Sequence, residues 1–122
     1  MALAFVVAVV SGVGAVCRYV VDQVVSHKHR SVFPLGTFTI NVAGSFVLGL
    51  STGLATHHGL STTAAAIIGS GFCAGFTTFS TWMWETLALV ETRAFLAAGL
   101  NAFGSLALGL AAAGCGFWLA LL

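Results

Sequence analysis

Apolar residues run almost without interruption along this chain, and the polar ones gather in three short clusters that cut it into four stretches. The first stretch, 2–25, ends in Ser26-His27-Lys28-His29-Arg30-Ser31, and Phe33-Pro34 then suits the entry of a new helix. The second, 35–55, is followed by Thr56-His57-His58-Gly59-Leu60-Ser61. Glu91-Thr92-Arg93 separates the third, 62–90, from the fourth, 94–122. Each stretch is about 20 residues or longer, enough to cross a hydrocarbon core about 30 Å thick. The pattern predicts an all-α membrane protein: one four-helix transmembrane domain over 1–122, with no soluble domain. Short connections make consecutive helices alternate in direction, so both termini share one side and the 1–2 and 3–4 loops the other.

Composition supports this reading. Of 122 residues 59% are hydrophobic and 6% charged, against roughly 25% charged in a soluble domain, so seven charged side chains cannot coat a water-facing surface. A net charge of +1 gives no clustered Lys or Arg for phosphates, which excludes a nucleic-acid partner and leaves membrane lipid as the surroundings. Cys17, Cys73 and Cys115 all lie in apolar stretches, an odd number that argues against a disulfide framework. The N-terminus lacks a basic region and its apolar run continues past Val20, so it reads as a first span and not as a signal peptide. Lys28, Arg30 and Arg93 occupy one side and none faces them from the other, which favours cytoplasmic 1–2 and 3–4 loops.

The polar residues inside the spans are patterned. Thr37, Asn41, Ser45, Gly49 and Gly53 recur every fourth residue in the second span, and Asn101, Ser105, Gly109 and Ala113 do so in the fourth. Such stripes allow close helix approach, and an amide at mid-membrane must find a helix, a water or a permeating solute as partner. The third span is dense in Gly, Ser, Thr and Phe over 69–81. A broken helix is expected there, tolerated only where its free backbone groups line a cavity or bind an ion. Arg18 has two readings: a vestibule that attracts anions, or a side chain snorkelling to the headgroups beside Asp22, four residues on. Glu85, near the end of the third span, suggests capping or a basic partner ahead of proton relay. Phe72, Phe76, Phe79 and Trp82 follow steps of three and four that place the rings along one helical face, with the hydroxyls of Thr77, Thr78, Ser80 and Thr81 as donors in the same turns. His27, His29, His57 and His58 lie in connecting segments with no Cys beside them, and neither a catalytic triad nor a phosphate loop is visible, so an enzyme is not expected.

Three segments together resemble the Fluc/CrcB fluoride channel family: Gly12-Val13-Gly14-Ala15-Val16-Cys17-Arg18-Tyr19, Gly36-Thr37-Phe38-Thr39-Ile40-Asn41-Val42-Ala43-Gly44, and the distinctive Gly71-Phe72-Cys73-Ala74-Gly75-Phe76-Thr77-Thr78-Phe79-Ser80-Thr81. The resemblance spans essentially the whole chain. It implies an inner (plasma) membrane protein that forms an antiparallel, dual-topology dimer, with two fluoride pores along the subunit interface and a structural sodium ion at its centre. It places Asn41 and Phe79 in the pore. Trp82 falls where the family carries a second Phe. Sodium would be held by the backbone carbonyls of Ala74, where the family usually has Gly, and Thr77. Arg18 matches a vestibule arginine, and Asn101, Ser105, Thr37, Thr39, Ser80 and Thr81 align with further polar positions along the pore.

The function so implied is passive, fluoride-selective export. Two other readings differ in what they need from the chain. A small four-span multidrug exporter wants a carboxylate in the first span, where Arg18 stands. A non-conducting assembly subunit packed through its glycine stripes leaves Asn41 and the Thr/Ser-rich segment without a use. The loop charges, three against none, open the further alternative of a heterodimer with an oppositely oriented chain, with the homodimer favoured.

Overall fold

Once in lipid, a backbone has no water to bond, so apolar stretches of this length close their hydrogen bonds internally as helices. The computed structural model describes all 122 residues, and its elements are helices joined by short turns, without a strand. Four are long and apolar enough to cross a membrane: Ala2–Lys28, Leu35–His57, Thr62–Glu91 and Phe95–Leu119. The first two run a few residues beyond the apolar pattern. Helical bonding does not stop where the hydrocarbon does, so Ser26, His27 and Lys28 carry the first helix on with polar side chains. Ala120, Leu121 and Leu122 leave the fourth helix in a terminal turn.

The third span is a succession of pieces. A short helix, Thr62–Ala66, is started by Ser61, whose hydroxyl accepts the Ala64 amide at 3.1 Å. It widens into a π-helical stretch, Ile67–Cys73, tightens again at Ala74–Phe76, and resumes as Ser80–Glu91. Only between the last two pieces, at 77–79, does the chain leave helical geometry: Thr77 is extended, with φ −81° and ψ 164°. A second π-helical stretch, Leu100–Gly104, lies in the fourth span. Neither π segment is announced by the periodicity.

Glycine decides which spans touch. A Cβ on Gly49 would collide with the Ala113 carbonyl, and one on Gly116 with the Phe46 carbonyl, so the second and fourth spans meet backbone to backbone. Gly14 lies in the same way against the Phe72 carbonyl and Gly75 against the Ser11 carbonyl, joining the first span to the third. The every-fourth-residue stripe of the second span is thus divided. Gly49 and Gly53 seat the fourth span, whereas Thr37 and Asn41 reach the third through side-chain hydrogen bonds. Large apolar side chains such as Phe5, Val9, Val13 and Val16 remain exposed along the outside, as a lipid solvent requires.

Candidate functional site

Where the helical bonding of the third span lapses, a cavity of about 770 Å³ opens between the second, third and fourth spans. Asn41 and Ser45 border it from the second span, Ala74, Thr77, Thr78, Phe79 and Trp82 from the third, and Ser105 from the fourth.

Asn41 organises this region. Its Nδ2 donates to the Thr78 carbonyl at 2.9 Å, and its Oδ1 accepts the Thr78 amide at 2.9 Å. One primary amide therefore satisfies both backbone groups of a residue that no helix serves. The Thr78 amide is also the one that would have closed the next turn onto the Ala74 carbonyl. Diverting it leaves that carbonyl without its helical donor. One turn on, the Thr81 amide donates to the Thr78 hydroxyl at 3.3 Å instead of closing onto Thr77. The Thr77 carbonyl is taken up from behind by Arg18, whose Nη1 donates to it at 3.1 Å. Arg18 accordingly does not pair with Asp22, whose Oδ1 accepts the Ser26 hydroxyl at 3.4 Å. Four residues separate Arg18 from Asp22 along the helix, but the third span lies nearer the guanidinium.

Two helix ends of opposite polarity meet here. Carbonyls terminate the segment through Phe76, and the amide end of Ser80–Glu91 begins the next, with the Phe79 N–H bonded to no backbone acceptor. The first end favours a cation and the second an anion.

The hydroxyls fall into two groups. Ser45 donates to the Asn41 carbonyl at 2.7 Å, Thr77 to the Cys73 carbonyl at 2.8 Å, and Ser105 to Asn101 Oδ1 at 3.3 Å, so their protons are committed. The Thr78 hydroxyl accepts from Thr81 and keeps its own proton, and Asn41 keeps the second hydrogen of its amide. Those two, with the Phe79 N–H and the Ser70 hydroxyl, which lines the cavity from the π-helical stretch, are donors left for a guest.

The rings do not form a single face. Phe72 and Phe76 stack at 5.4 Å on one side of the interruption, whereas Phe79 and Trp82 meet edge to face at 5.6 Å on the other. Phe76 is buried, and Phe79 is 69% exposed beside the cavity.

Of the residues singled out in the sequence, Asn41, Ala74, Thr77, Phe79, Trp82 and Ser105 are brought together at the cavity. Thr39, Ser80 and Thr81 are exposed but lie outside its lining. Thr37 is buried and donates to Glu85 Oε1 at 2.8 Å. This carboxylate has a hydroxyl for its partner, neither a basic side chain nor a cap, and its Oε2 is enclosed without a partner. Asn101 is wholly buried, with Nδ2 on the Thr86 hydroxyl at 2.8 Å. Thr86 escapes a reading of the sequence, because only the packing of the third span on the fourth reveals what it serves.

Membrane-length helices bordering a cavity with few free donors define a multi-pass integral membrane protein. Residues 5–117 match the family model described as CrcB-like protein, Camphor Resistance (CrcB), and the chain belongs to that family. Among its relatives is the Fluoride-specific ion channel FluC 1 of Leifsonia xyli subsp. xyli, 50% identical over 113 residues that cover 93% of this chain and 82% of that protein. The protein of the same name from Streptomyces avermitilis is 49% identical over 108 residues, covering 88% and 87%. The Fluoride-specific ion channel FluC 2 of Mycobacterium tuberculosis is 44% identical over 114 residues, covering 93% and 87%. These relatives are named as channels, which are not enzymes.

Proposed function

We propose that the chain conducts fluoride passively and selectively across the plasma membrane, letting the anion leave the cell down its electrochemical gradient. The observation that carries this is the interruption at 77–79, clamped by Asn41 and opening on the cavity with the amide end of a helix. Fluoride is small and strongly hydrated, so a path for it must offer donors in place of water without holding it as a fixed positive charge would. The second Asn41 amide hydrogen, the Thr78 hydroxyl and the Phe79 N–H supply such donors, and the electropositive ring edges of Phe79 and Trp82 add weaker contacts. The names of the relatives point to the same ion.

An antiparallel dimer with two pores completes the proposal. The cavity borders on exposed Phe79 and Leu106, and a second copy in opposite orientation would wall it off from lipid. The donor set also suits a structural sodium ion: the Ala74 carbonyl lies outside helical bonding, and the Thr77 carbonyl has a second lone pair beside the one that Arg18 uses. A hard cation prefers such oxygens. Two carbonyls from one chain make half a shell, and the same pair from the second copy would close it. A homodimer is the simplest assembly, and a heterodimer with an oppositely biased chain is the alternative that the loop charges favour.

The proposal is tested by expressing the protein in a bacterium stripped of fluoride export and scoring growth on fluoride. Growth is expected with the unaltered chain and not with Asn41→Asp. Equal growth with both would refute the assigned path. A multidrug exporter is disfavoured because the intramembrane carboxylate, Glu85, is bonded to Thr37 and lies outside the cavity.

A further inference from the structure

Trp82 and Asn101 hold each other. The indole Nε1 donates to the main-chain carbonyl of Asn101 at 2.7 Å, and the Asn101 side-chain Nδ2 approaches the main-chain carbonyl of Trp82 at 3.4 Å. Thr86 ties the two together: its hydroxyl accepts from Asn101 Nδ2 at 2.8 Å and donates to the Trp82 carbonyl at 2.8 Å. Ser105 closes the set by donating to Asn101 Oδ1. Asn101 is 0% exposed and sits in the π-helical stretch Leu100–Gly104, the kind of local widening that re-aims backbone groups at functional sites. The strongest donor of the indole therefore faces the fourth span. Carbon-bound ring hydrogens are what Trp82 has left for the cavity it borders, edge to face with the exposed ring of Phe79.

We infer that Trp82 is a selectivity-determining residue and Asn101 its positioning residue: the clamp fixes the indole as a rigid part of the cavity wall, packed against Phe79, and keeps its N–H out of the anion path. This inference rests on the fluoride-conduction reading. The physical reason lies in what each anion needs. Chloride gives up its water more readily than fluoride, so a passage that excludes it must hold its width. A ring on a flexible side chain gives way, whereas a ring pinned through its N–H does not. A free indole N–H would also add a mobile donor that chloride as well as fluoride can use.

The test removes the N–H and keeps the shape. Replacing Trp82 with the benzothiophene analogue of tryptophan substitutes sulfur for the N–H group, and fluoride and chloride efflux are then compared in liposomes. The chloride-to-fluoride efflux ratio is expected to rise by about three- to tenfold, the equivalent of one neutral hydrogen bond. An unchanged ratio, or a loss of fluoride efflux without gain for chloride, would overturn the inference. A second measurement does not depend on conduction. In protein labelled with 15N-tryptophan, the Trp82 indole resonance is assigned by its loss in Trp82→Phe and followed as sodium fluoride is added against sodium chloride. A signal that exchanges slowly with solvent and stays unmoved by fluoride supports the clamp. One that shifts with fluoride places the N–H on the anion and overturns it. Absence of fluoride efflux from the unaltered protein counts against the conduction reading, whereas the indole signal decides on the clamp alone.

Discussion

Asn41 and Thr37 lie one helical turn apart and do different work. Asn41 satisfies both backbone groups of Thr78, so Asn41→Ala strands two polar groups at a cost of about 1–3 kcal/mol each. Thermal unfolding in detergent should fall accordingly. Asn41→Asp keeps an acceptor for the Thr78 amide but sets a carboxylate oxygen against the Thr78 carbonyl and puts charge at the cavity. Fluoride efflux should drop by about a hundredfold or more, the scale of a few kcal/mol. Thr37 is the sole hydrogen-bond partner of the Glu85 carboxylate. Thr37→Val should therefore destabilise by about 1–3 kcal/mol, and the double variant Thr37→Val/Glu85→Leu should recover most of that loss, because replacing both partners with apolar groups leaves nothing unpaired. Equal unfolding temperatures for the single and double variants would show that the hydroxyl does not support the carboxylate.

The helices contact one another through glycine, and the contacts are specific enough to rank substitutions. Gly75→Ala pushes a methyl into the Ser11 carbonyl, where backbone cannot yield, whereas nothing lies within 4 Å of a Cβ at Gly12. The first should cost about 1–3 kcal/mol by overpacking and the second should be neutral or slightly stabilising, read as unfolding midpoints side by side. Much of this level was legible in the sequence. Lipid leaves helices as the only outlet for long apolar stretches, and small residues every four positions mark a close-packed seam. The density of Gly, Ser and Thr over 69–81 also marked where helical bonding is weak. Its confinement to 77–79 was not legible, because the partner that takes over the Thr78 backbone is Asn41, 37 residues earlier. Likewise an arginine and an aspartate one turn apart suggest a pair, but only the packed structure shows the Thr77 carbonyl nearer to Arg18. The aromatic run follows one face only if helical spacing is carried across 77–79, which are not helical. The burial of Asn101 was hidden for the same reason as the role of Thr86: both depend on which face of the fourth span meets the third.

At the scale of the whole molecule, the cavity lies beside exposed Phe79, in a chain whose long apolar faces need lipid or another subunit. Light scattering in detergent should give a protein mass of about twice the 12.5 kDa chain. A monomer that still conducts would contradict the interfacial pore. Orientation bears on the same point, since Lys28, Arg30 and Arg93 all favour one side. Reagents confined to one side of the membrane should label a cysteine placed in the 1–2 loop from both sides if copies insert both ways, and from one side if a separate partner is required. The central claim, selective passage of fluoride, is tested most directly by ion efflux from liposomes holding the purified protein, followed with fluoride and chloride electrodes. Rapid fluoride loss with negligible chloride loss is the result expected. Equal loss of both ions, or loss of neither from liposomes in which the dimer is verified, would contradict it.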